Sequence, residues 1–277
     1  MTSIEHQMTE IYCFVDDFLK AHPRRAQWRR SPNAAPSFTD AEVITIALLQ
    51  GSFGCATLKR AYLLVAHNYA RAFPSLCSYK QWLNRLHLVT SLVGQLVEAA
   101  RRSDASAPTL YLMDAKPIPV CKPIRHGRVR LLREDGASFG KSTTGWFFGF
   151  KLHVITTQQG EVLCALLTPA NTNERDVAGA LSWAVDGGIM LCDGGYRSAP
   201  LARLLAEEAE LLLLTPQESG QRRALVSSLR ERVETTFSQL WNRFIDRIFS
   251  RSWHGLWNTI KLKMLHYNLC QSGLLSA

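Results

Sequence analysis

Trp146-Phe-Phe-Gly-Phe-Lys-Leu-His-Val-Ile-Thr156 is rich in aromatic and β-branched residues and predicts a strand. Gln159-Gly160 is a turn signal, and Glu161 to Leu167 predicts the antiparallel partner. Upstream, Thr109-Leu-Tyr-Leu-Met113 is a short apolar run with β-forming residues, ending on Asp114, and Pro108 closes a linker that begins at Arg101. A basic, glycine-punctuated stretch with Arg125-His126-Gly127 and Gly136 separates this run from the 146–156 strand. Downstream, Asp176 to Val185 predicts a helix, Gly188-Ile-Met-Leu-Cys192 a strand closing on Asp193, Pro200 to Glu210 a helix, and Leu211 to Leu214 a buried strand. Leu225 to about Phe249 predicts a long helix with an apolar stripe of Val226, Leu229, Val233, Phe237, Leu240 and Phe244 at spacings of 3 and 4. Antiparallel-capable strands followed by alternating helix and strand give an α/β fold, a mixed sheet with helices on its faces.

The first hundred residues predict helices. Thr39 with Glu42, and Ser78 with Gln81, each form a capping-box pattern ahead of an apolar run. Between them a helix is expected from Thr57 to about Arg71, and Gly51 is expected to stop the helix that Thr39 opens. The expected division is a helical region over 1–108 and a sheet domain over 109–277.

Length and composition exclude several classes. With 277 residues, 47% hydrophobic and 20% charged, the chain can bury a substantial core, so wholesale disorder is excluded. Seven cysteines with no CxxC argue against a disulfide framework or thiolate zinc site. No apolar run reaches the roughly 18 residues of a membrane span, and the polar start lacks a signal-peptide core. A cytoplasmic, membrane-free protein is the expectation. The net charge of +9 is unevenly spread: residues 1–108 carry +4, 109–221 carry −1 and 222–277 carry +6. Within the middle third, Lys116 to Lys151 holds 8 basic groups, including Lys116, Lys122, Arg125, Arg128 and Lys151, against 2 acidic ones. Clustered Lys and Arg suit a polyanion such as DNA, whose condensed counterions they release, and equally suit a solvated surface.

Two carboxylates stand at the ends of predicted strands, where ligands of a mixed sheet bind. Asp114 and Asp193 side by side would repel unless one is protonated or a cation lies between them. Mg²⁺ suits such a pair, because it takes one or two carboxylates and fills its other positions with water and phosphate oxygens. The alternative is that each Asp caps the following turn. Glu234 and Arg230 flank the stripe of the long helix at i, i+4, and Glu231 is the rival carboxylate. Asp176 is expected to cap its helix, and His153 to be a satisfied strand histidine. Trp253, His254 and Trp257 fall among Arg247, Arg251, Lys261 and Lys263, a pattern that suits nucleic-acid stacking or a packing helix.

Taken in order, Met113-Asp-Ala-Lys-Pro-Ile-Pro-Val-Cys121, Phe148-Gly-Phe-Lys-Leu-His153, Leu191-Cys-Asp-Gly-Gly-Tyr196 and Arg230-Glu-Arg-Val-Glu-Thr-Thr-Phe-Ser-Gln-Leu240 resemble the DDE transposases of bacterial insertion sequences. Thr39-Asp-Ala-Glu-Val43 and Phe73-Pro-Ser-Leu76, with Trp82 and Arg85, are similar to the helical region before that family's catalytic domain. The resemblance implies an RNase H-like domain in which Asp114, Asp193 and Glu234 hold two Mg²⁺ ions, or Mn²⁺ in their stead, with Asp114 bridging both. It favours Glu234 over Glu231, because the family sets Arg four residues before its catalytic Glu, as Arg230 stands here. Ser227 and Trp241 depart from the family's Tyr and Lys, with Arg243 near enough to substitute for the latter. Further implied are phosphoryl transfer at terminal inverted repeats, strand transfer into target DNA, and a homo-oligomer on the transposon ends. Lys116, Lys122, Arg125, Arg128, Lys151, Arg230 and Arg243 are the expected DNA contacts.

Overall fold

A computed structural model describes residues 3–23, 36–101, 109–216, 226, 235–241 and 250–276. These form two compact units, one from described residues within 3–101 and 256–276, the other from 109–241 and 250–255.

The first unit is helical: α1 (Ile4–Ala21), α2 (Asp40–Ser52), α3 (Leu58–Asn68), α4 (Tyr79–Ala99) and most of α7 (Trp253–Gln271). Both capping boxes form, with each side chain bonded to the backbone N–H three residues on and Glu42 or Gln81 reaching back. Thr57 caps α3, which ends at Asn68 and is followed by a 3₁₀ turn over Ala70–Ala72. Helix α2 is buried from Val43 to Gln50, so it carries no polar face. Gly51 does not stop it. A Cβ there would lie 2.4 Å from the His266 ring, so glycine admits α7, and the left-handed Gly54 (φ +59°) follows the helix end. Trp82, fully buried, donates to the Val43 carbonyl at 3.1 Å. Arg85 holds Asp40 at 2.6 Å, donates to the Phe38 carbonyl and lies over the Phe38 ring.

Within the expected 109–277 segment, the residues from 256 onward group with the helical unit. Leu262, Leu265 and Leu269 are core residues of the helical unit, Asn268 donates to the Val97 carbonyl at 3.2 Å, and Lys261 to the Thr90 carbonyl at 3.3 Å. Lys263 is buried as well. Of the two readings of this segment, packing describes the body of α7.

The second unit is the expected mixed sheet, built from β1 (Leu110–Cys121), β2 (Ser138–Ser142), β3 (Gly145–Thr157), β4 (Val162–Pro169), β5 (Gly188–Leu191) and β6 (Leu211–Leu214). β3 pairs antiparallel with β1 along one edge, while β2 and β4 share its other edge end to end. β1 pairs parallel with β5, and β5 with β6. Helices α5 (Glu174–Ser182) and α6 (Ala199–Ala209) cover one face through Val177, Leu181, Leu201 and Leu205, against Tyr111, Met113, Met190 and Leu213.

Three details differ from the sequence expectation. Asp176 lies inside α5, whose cap is Asn173, bonded to the Arg175 N–H at 3.1 Å. β2 occupies the stretch expected to be irregular. β1 does not end at Asp114 but continues through Lys116-Pro117-Ile118-Pro119. Beyond Leu112 its pairing is with β3 alone, and a proline is tolerated on a strand with an open edge or at a bulge, such as the register shift after Pro119. Gly149 makes that pairing possible, since a Cβ there would meet the Ile118 carbonyl oxygen at 2.2 Å and the Val120 nitrogen at 2.9 Å.

His153 is fully buried on β3, with Nε2 2.9 Å from the Thr168 hydroxyl. Burial and the nearby Lys151 charge pull its pKa down to about 4. It is therefore neutral in the fold and takes a proton more readily when unfolded. Stability is intact above the ordinary histidine range near 6.5 and falls as pH drops toward 4, by on the order of 3 kcal/mol. His153→Gln is expected to flatten this part of the pH–stability curve in urea titrations. Gly149→Ala is expected to cost about 2 kcal/mol or more through overpacking. By contrast Gly179→Ala, inside α5 and in ordinary contact range of Leu204 at 3.5 Å, is expected to stabilise by about 0.5–1 kcal/mol. Thermal unfolding separates the two.

Candidate active site

The parallel pairing of β1 with β5 puts Leu112 opposite Leu191. Continued two residues past that pair, the same register brings Asp114 level with Asp193. Side chains alternate along a strand, so both carboxylates share the parity of Leu112 and Leu191 and lie off the face that α5 and α6 cover. They line one cavity of about 750 Å³. Its other walls are Lys116 and Pro117 of β1, Ser142, Thr143 and Thr144 at the β2–β3 turn, Cys192 and Gly194, and Val226, Phe237, Ser238 and Trp241. Val226, Phe237 and Leu240 are buried and residues 235–240 are helical, as the apolar stripe predicts. The rest of that expected helix, with Glu234, Glu231, Arg230 and Arg243, lies outside the described residues.

The two aspartates differ in setting. Asp114 is largely buried, its Oδ1 accepting from the Ala115 N–H at 2.7 Å and its Oδ2 paired with Lys116 Nζ at 3.0 Å. Burial raises its carboxyl above the usual range, and the neighbouring Asp193 charge pushes the same way. The Lys116 ammonium and the Ala115 N–H oppose the rise. Asp193 is exposed and caps the 3₁₀ turn Gly194–Tyr196 through a 2.8 Å bond from the Gly195 N–H to Oδ1. The turn-capping reading therefore holds for Asp193 and does not compete with a ligand role, because the cap engages only one of its two oxygens. Cys192, fully buried beside both carboxylates, has its thiol driven far up, first by burial and then by their charges. It remains a thiol, not a soft ligand.

The brace behind Asp193 leaves no local signature in the sequence. Arg175 Nε, on the first turn of α5, donates to the Gly195 carbonyl at 3.0 Å, so α5 fixes the turn that Asp193 caps. Next to it Glu174 pairs with Lys151 Nζ at 2.8 Å, and that ammonium also reaches the Thr172 carbonyl at 3.5 Å. Asn173 and Glu174 open α5, but no local pattern tells of partners 20 or more residues away. Ser142, Thr143 and Thr144 were missed for the same reason, since β2 itself carries no strong strand signal.

The expected DNA contacts fall into two groups. Lys122, Arg125 and Arg128 are exposed in the loop between β1 and β2, where Pro123–Arg125 forms a 3₁₀ turn. That loop is pinned by His126 against the Phe139 ring and by Arg133, which lies over Phe148 and donates to the His126 carbonyl. Lys116 and Lys151 are instead engaged with Asp114 and Glu174. At the sheet unit's C-terminal piece, Trp253 packs on Phe150 at 5.1 Å, while His254 is exposed.

Among the described residues no three His, Cys, Asp or Glu side chains come together as a metal-binding group. Nor is any helix among them long and apolar enough to cross a membrane. Residues 104–246, just over half of the chain, match the transposase DDE domain family. No curated protein matches the chain. Membership implies a transposase, with DNA as its partner and a divalent metal in use. The ordered motifs, the paired aspartates of the sheet and this match agree: the chain belongs to the transposase DDE domain family.

Proposed function

We propose that the protein is a DNA transposase that cleaves DNA at the ends of an insertion sequence and transfers the freed strand into target DNA. The observation that carries this reading is the convergence of Asp114 of β1 and Asp193 just past β5 on one cavity, level with each other in the register of the two strands. Two carboxylates that repel, with hydroxyls around them and the Cys192 sulfur held as a thiol, form a hard oxygen donor set that suits Mg²⁺ or Mn²⁺. Asp114 and Asp193 would hold the metal, with Glu234 as the third carboxylate and two ions as the family's count. Bound there, the metal supplies Lewis acidity to a DNA phosphate and to the oxygens entering and leaving it.

The chain's own groups do the rest. Asp193 is held at the cavity wall by the Gly195 N–H and by Arg175 behind it, so its carboxylate is placed without a conformational search. Ser142, Thr143 and Thr144 offer neutral donors to phosphate oxygens at the cavity wall. Lys122, Arg125 and Arg128 extend a cationic track from the end of β1 for the DNA backbone. Arg230 and Arg243 are proposed as further phosphate contacts, and the helical unit as the region for DNA binding or assembly of a homo-oligomer on transposon ends. A cytoplasmic protein associated with the nucleoid when bound to DNA fits this role.

Asp114→Asn and Asp193→Asn are each expected to abolish Mg²⁺-dependent cleavage of terminal-repeat DNA while sparing DNA binding in gel-shift assays. Wild-type cleavage in either variant sinks the assignment. Cut ends without joined products in the same assay would mean a nuclease lacking strand transfer. Glu234→Gln is expected to match the aspartate variants and Glu231→Gln the wild type.

The basic residues are expected to divide in a salt titration of DNA affinity. Arg125→Ala with Arg128→Ala should lower the slope of log affinity against log salt by about 2, one phosphate contact each. Lys151→Ala should leave the slope unchanged and instead lower stability by about 2 kcal/mol, because it strips the half-buried Glu174 of its partner.

A further inference from the structure

Lys116 is the one residue of the cavity that both neutralises a proposed metal ligand and belongs to the basic stretch. It lies two positions after Asp114 on β1, hence on the same face, and its Nζ is 3.0 Å from Asp114 Oδ2. The Lys116 side chain keeps 39% of its surface exposed, against 18% for Asp114. The contrast with Lys151 is instructive. That ammonium is only 15% exposed, is bonded to Glu174 and has a backbone carbonyl at 3.5 Å as well, so it is fixed in place. Lys116 keeps more than a third of its side-chain surface in solvent, and partly exposed ion pairs of this kind exchange at small cost.

We propose that Lys116 is an exchangeable counter-ion: it occupies the Asp114 carboxylate until a divalent cation takes its place, and the released ammonium then serves a DNA phosphate. This rests on the metal-site reading given above. Asp114, pressed by burial and by Asp193, needs a positive partner in the cation-free protein, and among the described residues Lys116 pairs with it. A cation at Asp114 and the ammonium of Lys116 cannot both keep Oδ2, since they compete for the same oxygen and repel each other. A DNA phosphate in the cavity draws Lys116 away and opens Asp114, while a cation at Asp114 frees Lys116 for the phosphate. Linkage makes the two effects equal, so cation and DNA each strengthen the binding of the other.

The test is a Mn²⁺ titration of the full chain without DNA, followed by the electron paramagnetic resonance signal of free Mn²⁺. Lys116→Gln is expected to bind Mn²⁺ about five-fold more tightly than the wild type, the factor that loss of a competing ion pair of about 1 kcal/mol gives. Lys116→Arg retains the competitor and is expected to bind within two-fold of the wild type, about the scatter of such pairs. Equal or weaker Mn²⁺ binding by Lys116→Gln overturns the proposal. Asp114→Asn separates this failure from that of the metal site itself, because wild-type Mn²⁺ affinity in that variant rejects the site and not merely the exchange. With a terminal-repeat duplex added, the wild type is expected to gain more Mn²⁺ affinity than Lys116→Gln does. An equal gain in both overturns the coupling to DNA. Thermal unfolding without metal provides a second readout: Lys116→Gln should melt lower than the wild type and be raised further by Mn²⁺. A variant unfolding identically with and without Mn²⁺ counts against the exchange.

Discussion

Three paired residues on each of two strands, Leu110–Leu112 and Ile189–Leu191, fix the spacing of Asp114 and Asp193. A parallel ladder offers no freedom to slip by one residue, because a slip would turn every side chain of β5 to the opposite face. Met190 and Cys192 would then leave the α5–α6 core, and Asp193 would turn into it. The apolar residues before each aspartate thus hold two like charges where neither would settle alone. The hydrophobic burial of one face supplies the free energy, and the polar face inherits the geometry.

That inheritance explains the uneven environment of the pair. Asp114 stands mid-strand with β3 on one side, so the sheet itself desolvates it, whereas Asp193 stands beyond the last ladder bond of β5 and keeps contact with water. One strand carries its carboxylate through the sheet, the other delivers its carboxylate at a free end. Arg175 and the Gly194–Tyr196 turn compensate for the missing ladder at that end, replacing strand hydrogen bonds with a cap and a brace.

Signals confined to a few neighbouring residues were legible. Thr39 with Glu42 and Ser78 with Gln81 closed as capping boxes, and the Leu211–Leu214 run formed a strand at the predicted residues, because each depends on local backbone geometry or on an unbroken apolar run. Asp193 was legible as a strand-end carboxylate for a like reason, whereas Asp114, expected at a strand end, stands inside β1. The continuation of β1 past Asp114 was not legible, since two prolines argue against a strand unless a partner such as β3 overrides them. Gly51 has the look of a helix stop, yet its purpose is to admit a histidine 215 positions later. The partners of Lys116 and Lys151 are equally hidden, although one lies two residues away, because composition does not reveal which charges the fold turns inward. The α7 sequence, with basic and aromatic residues interleaved, suits nucleic-acid stacking as well as packing, and only its neighbours make nearly every side of it a core side.

The burial of α7 in the helical unit also sets an order of events at the ribosome. Leu262, Leu265 and Leu269 belong to the same apolar cluster as Val15, Val43 and Trp82, so that cluster cannot close until the last stretch of the chain has been synthesised. The strands and helices between residues 110 and 214 emerge earlier and have their own cluster to collapse around. The first helices made are therefore the last to find their complete core, and they wait, partly uncovered, through the translation of the sheet. A message cut short before residue 256 would yield a sheet with its aspartates in register but leave α2 and α4 without the helix that completes their packing.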